Sequence, residues 1–229
     1  MKKIPLIVVC GPTASGKTSL AVEIAKLYNC EVVSADSMQI YKDMTIGTAK
    51  PTPEEMQGIK HYLIDFVLPN QRYSVADYNK DALKAIDEII KKGKTPIVVG
   101  GTGLYVNSLI YGIEYSDIEV DIEYREKLEK IAKLEGIERL YEMAKEIDPE
   151  AIKNISKNDQ KRICRILEIY HTTGKNKTEQ EKESRKNGPK YQYLLYGITM
   201  DREKLYDRIN KRVDIMINDG LIEEVQNIV

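Results

Sequence analysis

Near the start of the chain, Gly11-Pro12-Thr13-Ala14-Ser15-Gly16-Lys17-Thr18 follows the pattern G-x-x-x-x-G-K-[ST]. The chemistry of that pattern is the grip on a phosphate. Glycines let backbone N–H groups close around phosphate oxygens, and the helix that follows offers its positive end. Lys17 adds an ammonium and Thr18 a hydroxyl able to ligate magnesium. The apolar run Ile4 to Cys10 before it and the amphipathic run beginning at Lys17 supply the strand-then-helix setting the motif needs. The pattern names a phosphate, not a reaction.

Two further places could do chemistry. Asp36 closes the apolar run Glu31 to Ala35, and the carboxyl ends of parallel strands line the ligand crevice, so it should share an edge with the phosphate loop. Its plain alternative is a turn aspartate accepting nearby backbone N–H groups. Pro96 to Gly100 runs into Gly101-Thr102-Gly103-Leu104-Tyr105. There small residues permit close approach to a ligand, and Thr102 can cap the next helix while offering a hydroxyl to the crevice. His61 and His171 have no partner at metal-ligand spacing and receive no role. Cys10, Cys30 and Cys164 form neither a C-x-x-C pair nor a disulfide framework; they read as small buried apolar groups in a reducing, cytoplasmic interior.

The elements that carry these residues follow from the hydrophobic pattern. Ile4 to Cys10, Glu31 to Ala35, His61 to Phe66, Pro96 to Gly100 and Tyr191 to Met200 read as strands. Helices are expected over Thr18 to Tyr28, with Leu20, Ile24 and Leu27 on its stripe, and over Ser74 to Lys92, opened by a Ser74-x-x-Asp77 capping box. A further helix starts at Asp201, with Leu205, Ile209, Val213 and Met216 on its buried stripe and Arg208 and Arg212 sharing a face. Between Tyr115 and Pro189 the strand signal vanishes, leaving helix-period runs at Ile122 to Glu135, Ile137 to Ile147 and Asp159 to Thr173. Lys175 to Lys190 is polar and reads as a mobile helix or a loop. The expectation is an α/β fold: a P-loop NTPase-like parallel sheet flanked by helices, built from 1–114 plus 190–229, with an all-helical insertion over 115–189.

The 42% hydrophobic and 31% charged residues of this 229-residue chain exclude a disordered or collagenous class. No apolar run reaches the ~20 residues of a membrane span. Met1-Lys2-Lys3-Ile4-Pro5 leads straight into the first strand, so no cleaved signal peptide is expected, and the chain stops at Val229 inside an apparent helix, as an incomplete chain would. A formal net charge of −1 gives no prior for nucleic acid, but the balance is uneven. Acidic residues outnumber basic ones about two to one over 114–150, and the ratio reverses over 151–190. Taken alone, both stretches read as solvated helices.

An ordinary nucleoside triphosphatase would add an apolar strand ending in a magnesium-organising aspartate. The strand best placed for that ends in glycines, and Asp65 is a weak substitute. Asn176-Lys177-Thr178-Glu179 is close to a guanine-reading N-K-x-D, but it ends in Glu and follows no strand.

The phosphate loop, Asp36-Ser37-Met38-Gln39-Ile40-Tyr41, Ile46-Gly47-Thr48-Ala49-Lys50-Pro51, Gly100 to Tyr105 and Asn158-Asp159-Gln160-Lys161-Arg162-Ile163-Cys164-Arg165 together resemble the tRNA dimethylallyltransferases, in order and spacing as well as in wording. The resemblance implies transfer of a dimethylallyl group from dimethylallyl diphosphate to the exocyclic amine of the adenine 3′ of the anticodon. The loop from Gly11 to Thr18 would hold the leaving diphosphate, with Lys17, magnesium on Thr18 and Arg212 neutralising its charge. Asp36 would take the amine proton, and Thr102 would contact the same nucleotide. Ser37, Met38 and Gln39 would meet the flipped-out base and its neighbours. Gln160, Lys161 and Arg162 would meet phosphates of the tRNA anticodon stem-loop, and Arg125 would reach the RNA from the first insertion helix. A monomer without a membrane partner is expected, and family members continue past Val229. The rivals are an isopentenyltransferase acting on free adenine nucleotide, a small-molecule P-loop kinase with Arg208 and Arg212 as lid arginines, and a non-catalytic RNA-binding protein. The helical insertion favours RNA over the free nucleotide.

Overall fold

The computed structural model describes residues 5–115 and 121–228. Met1 to Ile4, on which the expected start of the first strand and the signal-peptide expectation fall, and Val229 lie outside the described residues.

In chain order the elements are β1 (Pro5–Cys10), α1 (Lys17–Tyr28), β2 (Cys30–Ser34), α2 (Pro53–Met56), β3 (His61–Tyr62), α3 (Val75–Lys91), β4 (Thr95–Gly100) and α4 (Gly103–Ile110). Then follow α5 (Ile122–Glu135), α6 (Ile137–Ile147), α7 (Pro149–Ile152), α8 (Gln160–Thr173), α9 (Lys177–Ser184), β5 (Gln192–Gly197), α10 (Arg202–Asn218) and α11 (Leu221–Ile228). The chain divides into two compact units, Met1–Ile113 with Pro189–Val229, and Glu114–Gly188.

The first unit is an α/β layer structure around an all-parallel sheet of order β3-β2-β4-β1-β5. Its central strands are apolar on both faces because both are covered. Leu6, Val8, Val33 and Val98 face Tyr78, Ala82, Ile86 and Ile89 of α3 and Tyr105 and Leu109 of α4. Val9, Val32, Ile97 and Val99 face Ala21 and Ala25 of α1. Tyr105 stacks on Tyr78 with centroids 3.9 Å apart and planes 5° off parallel, fixing α4 to α3 just past Thr102.

Several expected details shift. The buried face of α1 is Ala21, Val22 and Ala25, while Leu20 and Leu27 are exposed: the helix packs against the sheet through small residues, one position along from the expected stripe. β3 stops at Tyr62 instead of Phe66, because Leu63 and Asp65 take left-handed backbone angles (φ 61° and 60°). The chain then laces onto the Asp36 loop through Asp65 N–H to Gln39 O, and Phe66 and Val67 N–H to Ile40 O. On α10 the stripe of Leu205, Ile209 and Met216 is only half-buried and Val213 is exposed, since no element among the described residues covers its outer face. Only Cys30 of the three cysteines is fully buried; all three are free thiols.

The second unit is helical, closed around Leu128, Leu140, Ile163, Ile166 and Leu167. Asp121, Asp148 and Asp159 accept the N–H groups of Tyr124, Ala151 and Arg162 at the starts of α5, α7 and α8. Residues 177–184 form α9, opened by a capping box in which Asn176 accepts from Glu179 N and Glu179 from Asn176 N. The guanine-reader look-alike is therefore a helix start.

At Gly100 the ends of β4 and β2 come too close for a side chain: a Cβ there would lie 2.1 Å from the Ala35 carbonyl oxygen. Gly100→Ala must displace backbone, so we expect a loss of about 1–3 kcal/mol or more in chemical denaturation. Gly103→Ala, where a Cβ would meet nothing within 4 Å, should stay near wild type.

Candidate active site

The phosphate loop joins β1 to α1 along a path only certain residues allow. Gly11 has φ +155° and a Cβ there would press to 2.8 Å on Ile198 O, Ala14 is left-handed at φ 61°, and Gly16 caps α1 at φ 89° with no side chain over the amides. No acidic residue occupies the first turn of α1, so its N–H groups and dipole face the loop uncompensated. Ser15 is buried and its hydroxyl has no partner. An orphan of that kind costs roughly 1–3 kcal/mol unless an acceptor comes to it. A phosphate oxygen is such an acceptor, and left-handed backbone with converging amides is a known anion cradle.

Lys17 Nζ donates to Pro12 O at 2.6 Å, across the loop. Burial holds its ammonium below the ordinary lysine range; Arg212 pushes the same way, and Asp36 and Cys10 oppose. Lys17 on α1 thus lies within the fields of Asp36, past the end of β2, and of Arg212 on α10. Gly101 borders the same spot, since a Cβ there would sit 3.8 Å from Lys17 Nζ.

Asp36 is half-buried, and its Oδ1 accepts Met38 N–H at 2.9 Å and Gln39 N–H at 3.3 Å. The turn-aspartate alternative is therefore real, and it uses one oxygen only. Thr102 corrects its expectation: it precedes α4 without a side-chain capping bond. Its Oγ1 instead accepts Ser37 N–H at 2.9 Å and stands 3.2 Å from Ser37 Oγ, to which it donates. With its proton given to Ser37, the Thr102 hydroxyl keeps one lone pair, so it faces the crevice as an acceptor.

Gln39 Nε2 donates to Thr48 O and Ala49 O at 3.2 and 2.9 Å; two carbonyl partners fix the amide orientation and leave Oε1 as an acceptor. Arg212 Nη2 reaches Thr48 O at 3.5 Å, while Arg208 of the same face is exposed. Met38 is exposed. Asp65, the weak magnesium candidate, is ion-paired with the buried Lys50. Thr18 is half-buried in the first turn of α1; among the described residues no cluster of three or more His, Cys, Asp or Glu could hold a metal by itself.

In the helical unit, Lys161 and Arg162 are exposed in the first turn of α8 and Gln160 is half-buried, with Arg162 paired to Asp159 at 3.3 Å. Arg125 makes a fork to the buried Glu168, Nε to Oε1 at 2.7 Å and Nη2 to Oε2 at 3.0 Å, tying α5 to α8. Its main work is inside the unit.

A parallel sheet with a phosphate loop after its interior strand β1, and with Ser37, next to the Asp36 carboxylate, latched to the Thr102 hydroxyl, defines a P-loop α/β protein. A family model described as IPP transferase matches residues 39–229. The tRNA dimethylallyltransferase of Acetivibrio thermocellus is 59% identical over 224 residues, covering 98% of this chain and 72% of the relative. That of Thermoanaerobacter sp. is 53% identical over 227 residues, with the same coverages. Among solved structures, the tRNA isopentenylpyrophosphate transferase of Bacillus halodurans superposes with TM-score 0.66 at 44% identity, covering 98% of this chain and 70% of that one. A eukaryotic dimethylallyltransferase acting on tRNA gives TM-score 0.80 at 31% identity, covering 98% and 55%. The chain belongs to the IPP transferase family. No helix among the described residues is long and apolar enough to cross a membrane.

The depressed Lys17 yields a pH test. A bound anion favours the charged ammonium, so affinity for inorganic pyrophosphate should fall as pH rises through the Lys17 pKa, below the ordinary lysine range. The ligand-free fold should gain stability over the interval between that pKa and the unfolded value, where only the unfolded chain still holds the proton. Calorimetric titration across pH checks both the affinity trend and proton uptake. Lys17→Met should remove the Lys17 part of the profile.

Proposed function

We propose that this chain is a tRNA dimethylallyltransferase, moving the dimethylallyl group of dimethylallyl diphosphate to N6 of the adenine next to the anticodon on its 3′ side. The observation that carries the reading is the pairing of Asp36 and Thr102 as two acceptors beside the cation of a phosphate loop. An exocyclic amine has two N–H donors and meets two acceptors there.

In this reading the amides of Gly11 to Thr18, the Ser15 hydroxyl and Lys17 hold the diphosphate, and Arg212 faces its outer oxygens. As the C–O bond to the allylic carbon breaks, the electron pair leaves with pyrophosphate, where Lys17, Arg212 and the loop dipoles stabilise it. The amine nitrogen forms the new C–N bond, and the open oxygen of Asp36 takes its proton. Thr102 and Ser37 orient the amine, with Met38 and Gln39 against the flipped base and its neighbours. The Thr18 hydroxyl would hold a magnesium ion, a metal that commonly takes few ligands from protein. Bound there, the ion would add charge neutralisation on the leaving group.

The helical unit is read as the tRNA-contacting part, with Gln160, Lys161 and Arg162 on anticodon-stem phosphates. For Arg125 only the guanidinium edge left by the Glu168 fork is open to RNA. Three free thiols support a cytoplasmic setting, and we read the active species as a monomer.

The deciding assay incubates the protein and an unmodified anticodon stem-loop with dimethylallyl diphosphate or with ATP, followed by nucleoside mass spectrometry. Isopentenylated adenosine with release of pyrophosphate is expected. Phosphoryl transfer from ATP without prenylation would sink the reading in favour of a kinase, and modification of free adenine nucleotide in preference to RNA would favour the nucleotide enzyme. Asp36→Ala should lose roughly 10²–10⁴-fold in rate while RNA affinity changes much less. Full prenylation activity in that variant would remove Asp36 from the role of base, and RNA binding by a wild type that forms no product would point to a binding protein.

A further inference from the structure

Three successive backbone amides converge on one carboxylate far along the chain. Thr45 and Ile46 N–H each donate to Glu224 Oε2 at 2.7 Å, and Gly47 N–H donates to Oε1 at 2.9 Å. Such charge-assisted bonds are about twice as strong as neutral ones. Burial pushes the Glu224 carboxyl up, but the three amides and nearby Lys50 outweigh it and hold the group below the ordinary range. The fit is close: a Cβ on Gly47 would come within 3.0 Å of Leu221 Cδ1 and 3.4 Å of Glu224 Oε1. Glu224 sits on α11, which has no fully buried residue, so the carboxylate anchors the 45–47 loop where apolar packing gives little help.

The same loop faces the active site with its next two carbonyls. Ala49 is left-handed at φ 45°, and Thr48 Oγ1 closes the turn on Met44 O at 2.5 Å. Thr48 O and Ala49 O then accept both Nε2 protons of Gln39, and Thr48 O is the oxygen Arg212 approaches. One short loop therefore has Glu224 on its amides and Gln39 with Arg212 on its carbonyls.

We infer that Glu224 is a positioning residue for the transfer reaction, fixing the amides of 45–47 so that the following Thr48 and Ala49 carbonyls aim the Gln39 amide at the base and the Arg212 guanidinium at the leaving group. The inference rests on the transferase reading above. Removing the carboxylate leaves three converging N–H donors without an acceptor, and the loop must relax. Arg212 and Gln39 then lose their aim while the phosphate loop and Asp36 keep theirs. A misplacement of about 1 Å can cost up to about 10²-fold in rate, with much less effect on binding.

The test compares wild type, Glu224→Ala and Glu224→Gln in steady-state prenylation of an unmodified anticodon stem-loop, with thermal melts as the folding control. We expect kcat to fall roughly 10–10²-fold in both variants, with KM for dimethylallyl diphosphate changed by about threefold or less. Glu224→Ala leaves a nest sized for a small carboxylate, so added formate should restore part of its kcat and leave wild type unchanged. Glu224→Gln presents an NH₂ group to an N–H donor, and formate should not rescue it. If Glu224→Ala fails to fold, the kcat-against-KM split in Glu224→Gln decides alone. Either variant within twofold of wild-type kcat, or a loss confined to KM, would overturn the inference, as would a folded Glu224→Ala that formate leaves unchanged. Wild type that melts normally but forms no prenylated product would instead overturn the transferase reading, and this inference with it.

Discussion

The backbone contact between the ends of β2 and β4 is the constraint on which the site depends. Ala35 N–H donates to Val99 O at 2.7 Å, Thr102 N–H donates back to Ala35 O at 3.1 Å, and Gly100 is bare so that the two chains can come this close. The pairing thus continues past the last regular strand residues into the two segments that carry chemistry. Because those segments leave side by side, Ser37 and Thr102 can latch side chain to backbone, and Asp36 is held by a turn one residue earlier. Asp36 is thus oriented by its own turn, and Thr102 by the segment that leaves the other strand.

Charge then decides what can occupy the crevice. Burial and the nearby Arg212 cation depress Lys17, with the Asp36 carboxylate opposing them. A buried hydroxyl and the bare first turn of a helix add unspent donors. Such a surplus of positive potential and N–H or O–H groups is costly in isolation and is relieved by a polyanion. Along the segments after β2 and β4 the polarity reverses, with Asp36, Thr102 and Gln39 Oε1 all acceptors. One end of the crevice suits a diphosphate and the other a hydrogen-bond donor.

Most of the architecture was readable in the sequence because buried parallel strands are apolar runs and helices carry their punctuation. The helix-period runs Ile122–Glu135 and Ile137–Ile147 stood out on either side of Gly136 and are α5 and α6 with those bounds. What failed depended on distant partners. β3 ends early through left-handed residues that serve the Asp36 loop, and Thr102 forgoes its local cap for a residue 65 positions away. The α1 stripe was misplaced because close packing on a sheet selects alanines over larger apolar neighbours. Asp36, Lys17 and the phosphate loop carried local signals of spacing. Glu224 carried none, since its partners lie 177 to 179 residues back and a glutamate early in a short helix has no distinguishing context.

The placing of the helical unit between Ile113 and Pro189 has a consequence for the order of assembly. β5 completes the sheet by pairing with β1, Pro5 opposite Gln192, a closure across roughly 190 residues of chain. The helical unit is built from neighbouring segments and can collapse while that closure is still waiting. During synthesis the ribosome releases β1, β2 and β4 first, then the helices, and only afterwards the strand that shields the outer edge of β1. Until then β1 presents an unpaired apolar edge, so the stretch of translation between β4 and β5 is the period in which this protein is most open to misassociation.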